Sequence, residues 1–414
     1  MGIALRLCIG FIALTAFSTC LRADERAYLF YDVGNLGCPD YNEARDINDR
    51  GVVVGGAGGR ASCLGAAFRW FNGTITDLDE LYEGNSFYAA AAISETGAIL
   101  GWGSPIRVFI WADGQATPMA VAEECEENEA PRGINDSGTL ATGDCDALAA
   151  DNCLGVLYRI EEVSAITLGT LPQFPDDADY EPYDVNDDGV VVGRVGLGAE
   201  GNRAFIWSDG VISELVNELG GSGINAYGIN NAGLIVGNAE TVDGFPAMSY
   251  HISTGIWTVL GPGTAYDVND RGAAVGADII DFSTKHAMLY EDGEVIDLHE
   301  FMPTDWADSH AWAINNYGWI VGYAEDADSN WHGFVLVPIY DKGDYDGDTD
   351  VDLQDSGHFQ RCFAAEPYID GTLHVGCSVF DFDDDVDLDL DDYAAFQSAF
   401  TGPTAPDNNP NGPG

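Results

Sequence analysis

The chain has 414 residues, and its 16 basic side chains face 69 acidic ones, a formal charge of −53 at neutral pH. A polymer this negative repels phosphate backbones, which excludes nucleic acid as a partner and suits most of the carboxylates to a solvated surface in an ion-rich medium. Past the N-terminal segment no apolar run approaches the roughly twenty residues of a membrane-spanning helix, so an integral membrane protein is not expected.

In chain order, MGIALR supplies a positive start, LCIGFIALTAFSTC an apolar stretch too short to span a bilayer, and Ala23 a small-residue cleavage site. Residues 1–23 therefore read as a signal peptide, and the mature protein as secreted or held at the cell surface. FSTC also vaguely resembles a lipidation box ending at Cys20, although Phe17 and Thr19 fit it poorly. Cleavage removes Arg6 and Arg22 and takes the charge from −53 to −55. It leaves Cys38, Cys63, Cys125, Cys145, Cys153, Cys362 and Cys377, all disulfide candidates in an oxidising compartment. No CxxC spacing supports a zinc or redox site.

From residue 24 to 340 one core recurs seven times: Ile/Val-Asn-Asp/Asn-x-Gly, written Ile-Ser-Glu-Thr-Gly in the second copy, then mostly apolar residues and Gly. With Ile47, Ile93, Ile134, Val185, Ile229, Val268 and Ile314 as markers, the intervals are 46, 41, 51, 44, 39 and 46 residues, the spacing of four-stranded propeller blades. Each core predicts a hairpin whose Asn, Asp and Gly tolerate positive φ. A third strand follows as AFRW, VFIW, AFIW, AMSY, AMLY or GFVL, then a turn such as FNG, SDG or EDG, then a fourth strand such as TITDL or VISEL. Residues 27–36 resemble a fourth strand with nothing before it, and the seventh repeat stops after its third strand at GFVLVPI. The expected fold is mainly β: a seven-bladed β-propeller in which the N-terminal strand closes the last blade.

The register also orders the cysteines. Cys38 and Cys125 each lie nine residues before a marker, and Cys63, Cys145 and Cys153 fall between second and third strands, loops expected on the same face. This pairs Cys38 with Cys63, and Cys125 with either Cys145 or Cys153, leaving one odd thiol. The sequences AFRWFNGTITDL and AFIWSDGVISEL, with the cores, resemble HAF-type extracellular repeats over residues 28–338; the resemblance implies an exported repeat protein and no defined activity. The third copy departs most, with TLATG and VLYR.

Residues 344–355, DYDGDTDVDLQD, place Asp344, Asp346, Asp348, Asp350, Asp352 and Asp355 at positions 1, 3, 5, 7, 9 and 12 of a twelve-residue loop, the offsets at which calcium collects its oxygens. Thirty-seven residues on, DFDDDVDLDLDD repeats this with Asp381, Asp383, Asp385, Asp387, Asp389 and Asp392. The flanks repeat too, so Phe359 with Phe363 and Phe396 with Phe400 fall four apart on a short helix. Two such loops, each followed by a helix, resemble the dockerin type I module over residues 343–400. The resemblance implies two Ca2+ sites, with Asp350 and Asp387 acting through their backbone carbonyls and the other ten aspartates through side chains, and a cohesin-like partner on a scaffold. Positions 10 and 11, which set partner choice in that family, are Leu353-Gln354 and Leu390-Asp391, and position 6, usually Gly, is Thr349 or Val386. Cys362 and Cys377, between the halves, are expected to form a disulfide. The organisation is thus a signal peptide (1–23), a propeller (24–340), a small α-helical duplicated calcium-loop module (341–402) and a flexible tail (403–414).

No catalytic residue is assigned. GLGAEG at 196–201 satisfies a nucleotide-loop pattern but precedes no helix, and G-x-S-x-G, H-E-x-x-H and P-loop motifs are lacking. His310 and His332 read as structural or loop-lining, and Trp306 and Trp331 as loop residues able to stack on a sugar. Two functions compete: a non-catalytic binding protein whose propeller loops face an extracellular glycan or other ligand while the C-terminal module docks or anchors it, and an extracellular polysaccharide-degrading hydrolase or lyase carrying the same module.

Overall fold

A computed structural model describes residues 7–10, 18–21, 27–37, 41–58, 65–78, 86–104, 108–112, 114–119, 125–147, 153–175, 178–198, 201–281, 284–364 and 373–402. Seven four-stranded antiparallel sheets form a β-propeller. Blade I contains Asn42–Ile47, Val53–Ala57, Ala66–Phe71 and Thr74–Asp77, and the other blades repeat this order through the chain. Blade VII consists of Asp308–Ile314, Ile320–Glu325, Trp331–Ile339 and, as its outer strand, Ala27–Asp32, with Tyr28 opposite Pro338 and Phe30 opposite Leu336. The N-terminal strand therefore closes the ring, as the complementary ends predict. Leu7–Gly10 and Ser18–Leu21 pair as a separate two-stranded ribbon.

The blades pack through the third strands, whose alternation buries Phe68, Phe109, Phe205 and Phe334 completely. Trp70 and Trp207 are buried packing residues as well. Every innermost strand carries a β-bulge just before its marker residue, for example between Pro182 and Asp184 and between Ala265 and Asp267. A bulge breaks the strict two-residue alternation, so neighbours such as Tyr183 and Asp184, or Tyr266 and Asp267, both face the central channel. The closing Gly of each core answers this bend. A Cβ on Gly276 or Gly322 would lie 1.8 Å from the carbonyl oxygen of Thr264 or His310.

The hairpin turns depart from expectation in one respect. Positive φ falls only on the glycine of each core, from Gly51 (72°) to Gly318 (75°), and not on Asn or Asp. The asparagines act elsewhere. Asn230 accepts the Leu234 N–H at its own turn and donates through Nδ2 to the carbonyl of Asn269 in the next blade, 2.9 Å away. Asn48, Asn186, Asn269 and Asn315 make the same link forward, and Asn315 closes the circle onto the Asn48 carbonyl. The link is interrupted at blades II and III, where Ser94 replaces Asn and Asn135 turns inward to Ser137 and Thr139. In the outer turns, by contrast, Asn72-Gly73, Asp209-Gly210 and Asp292-Gly293 all have positive φ, as tight hairpins require.

The cysteine register is corrected in its local structure. Cys125 opens a first strand, Cys125–Ile134, that absorbs much of the expected acidic loop; Cys145 lies within the second strand, Leu140–Ala147, and Cys153 opens the third, Cys153–Arg159. An extended, bulged hairpin lengthens this blade at the expense of its loops. The side chains of Cys125, Cys145 and Cys153, and all of Cys38 and Cys63, lie outside the described residues, as does the 403–414 tail.

After blade VII the chain forms two helices, Leu353–Ala364 and Leu390–Ala399, each preceded by one acidic loop. Phe359 and Phe396 stack at 5.0 Å between centroids and are buried with Phe380, whereas Phe363 and Phe400 stay partly exposed. The expected Cys362–Cys377 disulfide is present beside them. Among the described residues no helix is long and apolar enough to cross a membrane.

Candidate metal centres

The two acidic loops share their position-12 bonds and the bond from position 6 to position 1, and differ in the second donor to position 1, which is position 4 in the first loop and position 5 in the second. At position 1, Asp344 accepts the N–H groups of Gly347 (2.7 Å) and Thr349 (3.1 Å), and Asp381 those of Asp385 (3.2 Å) and Val386 (3.1 Å). At position 12, Asp355 accepts from Tyr345 and Asp352, and Asp392 from Phe382 and Asp389. Asp389 also caps the second helix by accepting from Asp391 N–H, and Asp352 accepts equivalently from Gln354. These bonds turn each loop inward around its own carboxylates. Position 8, Val351 or Leu388, is buried and fastens the loop to the aromatic core.

Carboxylate oxygens consequently converge. One oxygen each from Asp344, Asp346 and Asp355 lies within 4.8 Å of the others, as do oxygens from Asp381, Asp383 and Asp392. Asp350, Asp352 and Asp355 form a second such trio, and Asp387, Asp389 and Asp392 its counterpart, so position 12 is shared in both loops. The side chains of Asp350 and Asp387, expected to serve through backbone carbonyls, approach their neighbours as carboxylates too. Asp348 and Asp385 accept from the N–H groups of Asp350 and Asp387 inside the loops. A donor set made only of oxygen, with no histidine or sulfur, can hold a hard divalent cation. Crowding shows in the proton affinities. Burial and neighbouring carboxylates push Asp344 up to about 6 and Asp346 to about 7, and they also raise Asp355.

The unusual residues at position 6 carry a conformational penalty. Thr349 has φ +74° and Val386 φ +70°, a region that strains a β-branched side chain. Val386→Gly should therefore stabilise the second loop by about 1 kcal/mol, less the extra freedom of glycine in the unfolded chain. Urea melts of the chain in chelator check this; an unchanged or lower module midpoint would refute it.

The propeller holds a second acidic assembly at the turn end of its channel, one that sequence reasoning missed. Asp49, Glu95, Asp187, Asp270, Asn231 and Asn316 accept or relay bonds from blade to blade, the last step running from Asn316 N–H to Asp49 at 2.8 Å. Above them, Asp46, Asp184 and Asp267 each accept one N–H from their own strand and one from the next blade. The blades enclose these three, although each keeps a wetted edge on a channel of about 200 Å³. Enclosure and mutual repulsion push Asp184 up to about 8 and Asp267 to about 6, and raise Asp46 well above the carboxylate range. The signal was the Asp before the marker in DINDRG, DVNDDG and DVNDRG, hidden among so many acids.

Other sequence candidates resolve as packing. His310 is buried, stacks on Tyr323 and is pushed down to about 3 by enclosure. His332 sits between Asp32 and Asp326, whose carboxylates raise it. Trp331 begins a strand instead of lying in a loop and stacks on Tyr41 and Tyr323, and Trp306 packs on Phe30 and His332, so both half-buried rings are engaged with neighbouring aromatic side chains. The stretch 196–201 joins two strands of blade IV.

Fold and site together define a seven-bladed propeller bearing two duplicated acidic loops able to hold metal. No family model matches the chain, and no curated protein does. Solved structures do. An oligogalacturonate lyase from Vibrio parahaemolyticus is similar over 79% of this chain and 98% of its own, at 12% identity and a TM-score of 0.54. An oligogalacturonate lyase in complex with manganese is similar over 81% and 98%, at 12% identity and 0.51. TolB from Acinetobacter baumannii matches at 11% identity and 0.39 over 70% of this chain, which spans 63% of the TolB chain. At such identities the likeness is one of fold.

Proposed function

We propose that this is an exported, non-catalytic binding protein whose C-terminal loops bind two calcium ions in the manner of a dockerin type I module, while the propeller presents its loops to an extracellular ligand. The observation that carries the reading is the duplication of the oxygen trios and of the position-12 bonds, with Asp355 and Asp392 shared by both trios of their loops. Calcium takes six to eight oxygens in irregular geometry, which suits loops richer in carboxylates than the stricter octahedron of magnesium would use. Bound calcium supplies the positive charge that lets these acids stay ionised side by side; the chain's part is to hold them turned inward. Positions 10, Leu353 and Leu390, are largely exposed, which supports a surface available to a cohesin-like or cell-surface partner.

The test is calorimetric calcium titration of the full chain, with two ions per chain expected. An Asp344→Ala, Asp381→Ala double variant should lose both, and unchanged affinity would refute the loop reading. The calcium-loaded chain is then incubated with a panel of glycans that includes neutral and acidic polysaccharides. Binding without product is expected; release of reducing or unsaturated sugar would overturn the non-catalytic half in favour of a propeller hydrolase or lyase.

A further inference from the structure

The two loops are alike internally but not in their surroundings. The first rests against the turns of blades I, VI and VII. Arg271, in the Asn-Asp-x-Gly turn of blade VI, donates to the backbone carbonyl of Asp346, and its other terminal nitrogen lies 3.7 Å from an Asp346 carboxylate oxygen. Tyr345 stacks on His358 at 3.9 Å between centroids, and Tyr317 of blade VII meets both rings edge-on. Tyr317 Oη lies 2.9 Å from His358 Nε2. A cleft of about 320 Å³ between the two parts is bounded by Arg50, Trp319, Arg361 and Val375, and Val375 N–H donates to Asn72 of blade I. In the second loop the cation is Lys342, which donates to the backbone carbonyl of Asp381 but whose charge pairs with the carboxylate of Asp384, an exposed residue at a non-ligand position; Arg271 instead lies against the carboxylate of a ligand residue.

We infer that Arg271 is the resident counter-cation of the first loop, supplied by the propeller, and that a calcium ion entering that loop displaces its charge from Asp346. The inference rests on the calcium reading above and adds a difference between the sites and a link to the propeller. A guanidinium and a divalent cation drawing on one carboxylate repel each other strongly in a half-buried setting, so Arg271 weakens calcium at the first loop and leaves the second untouched. Linkage is reciprocal: calcium in the first loop loosens the polar hold of the blade VI turn on the module. Arg271 is thus a positioning residue that sets the order in which the loops fill.

Calorimetric titration of the full chain with calcium tests this in an Asp381→Ala background that reports the first loop alone. Arg271→Gln should tighten binding at least tenfold, and Arg271→Lys, which keeps the charge, should restore the parent affinity. Unchanged or weaker binding in Arg271→Gln, with the propeller melt intact, would overturn the inference. Hydrogen exchange on the unaltered chain gives a second reading that no variant can confound: the turn at residues 269–273 should exchange several-fold faster in calcium than in chelator, and equal or slower exchange would overturn it. If the unaltered chain binds calcium at neither loop, the calcium reading itself has failed; if both loops fill and Arg271→Gln moves neither, only the role of Arg271 is lost.

Discussion

Asp355→Ala should abolish metal uptake at the first loop, a loss of more than about a hundredfold, and Asp392→Ala should do the same at the second. Each carboxylate belongs to both oxygen trios of its loop, so one truncation opens both. Each also closes the loop without metal: Asp355 accepts the N–H groups of Tyr345 at 2.7 Å and Asp352 at 2.8 Å, and Asp392 those of Phe382 and Asp389. Stranding these donors costs about 1–3 kcal/mol, so the module should melt earlier even in chelator. Asp384→Ala is the control, because Asp384 is exposed and outside the trios. Calorimetry gives the stoichiometry and urea melts the stability. Two ions still bound by Asp355→Ala would eliminate the shared-ligand geometry.

Lowering the pH from about 8.5 to about 5 in chelator should raise the melting temperature of the propeller, the reverse of ordinary acid denaturation. Asp184 and Asp267 have folded-state values of about 8 and 6, above the unfolded value of 3.8; Asp46 is also raised, and Glu95 and Asp136 reach about 8 and 6. Between the unfolded and folded values the folded chain binds more protons, so stability falls as pH rises through about 4 to 8 and is recovered on acidification. The wetted channel edge discounts the effect to on the order of 1 kcal/mol per strongly shifted group, together about 5 °C in melting temperature. Asp184→Asn should flatten the pH slope. It should also cost about 1–3 kcal/mol at pH 5, since an amide cannot accept from both Val185 and Ile229. Melting temperatures that fall steadily on acidification would refute the prediction.

Repeat number, strand order and ring closure were legible because periodicity and the unmatched terminal strands are one-dimensional signals. The loop ligands were legible for the same reason, every relevant offset lying within twelve residues. What the turn asparagines do was not, because their partners lie one blade away: Asn230 and Asn269 are thirty-nine residues apart, and a local reading assigns both to turn geometry. The channel aspartates were obscured by bulges, which place consecutive residues on one face and break the alternation that identifies inward positions. The seat of the first loop on Arg271 joins positions seventy-five residues apart with no repeat to announce it.

The closure of blade VII also sets a timetable. Ala27–Asp32 leaves the ribosome before every other strand of the propeller, yet its partner Trp331–Ile339 emerges about three hundred residues later. Until then the last blade lacks its outer strand, the first loop has no finished seat, and Leu29 and Phe30 stay exposed on an unpaired edge. Contacts this distant in sequence form slowly and leave partly built states open to aggregation. The strand made first is the one that must wait longest, so truncations near residue 335 should yield insoluble chains even though six complete blades precede the cut.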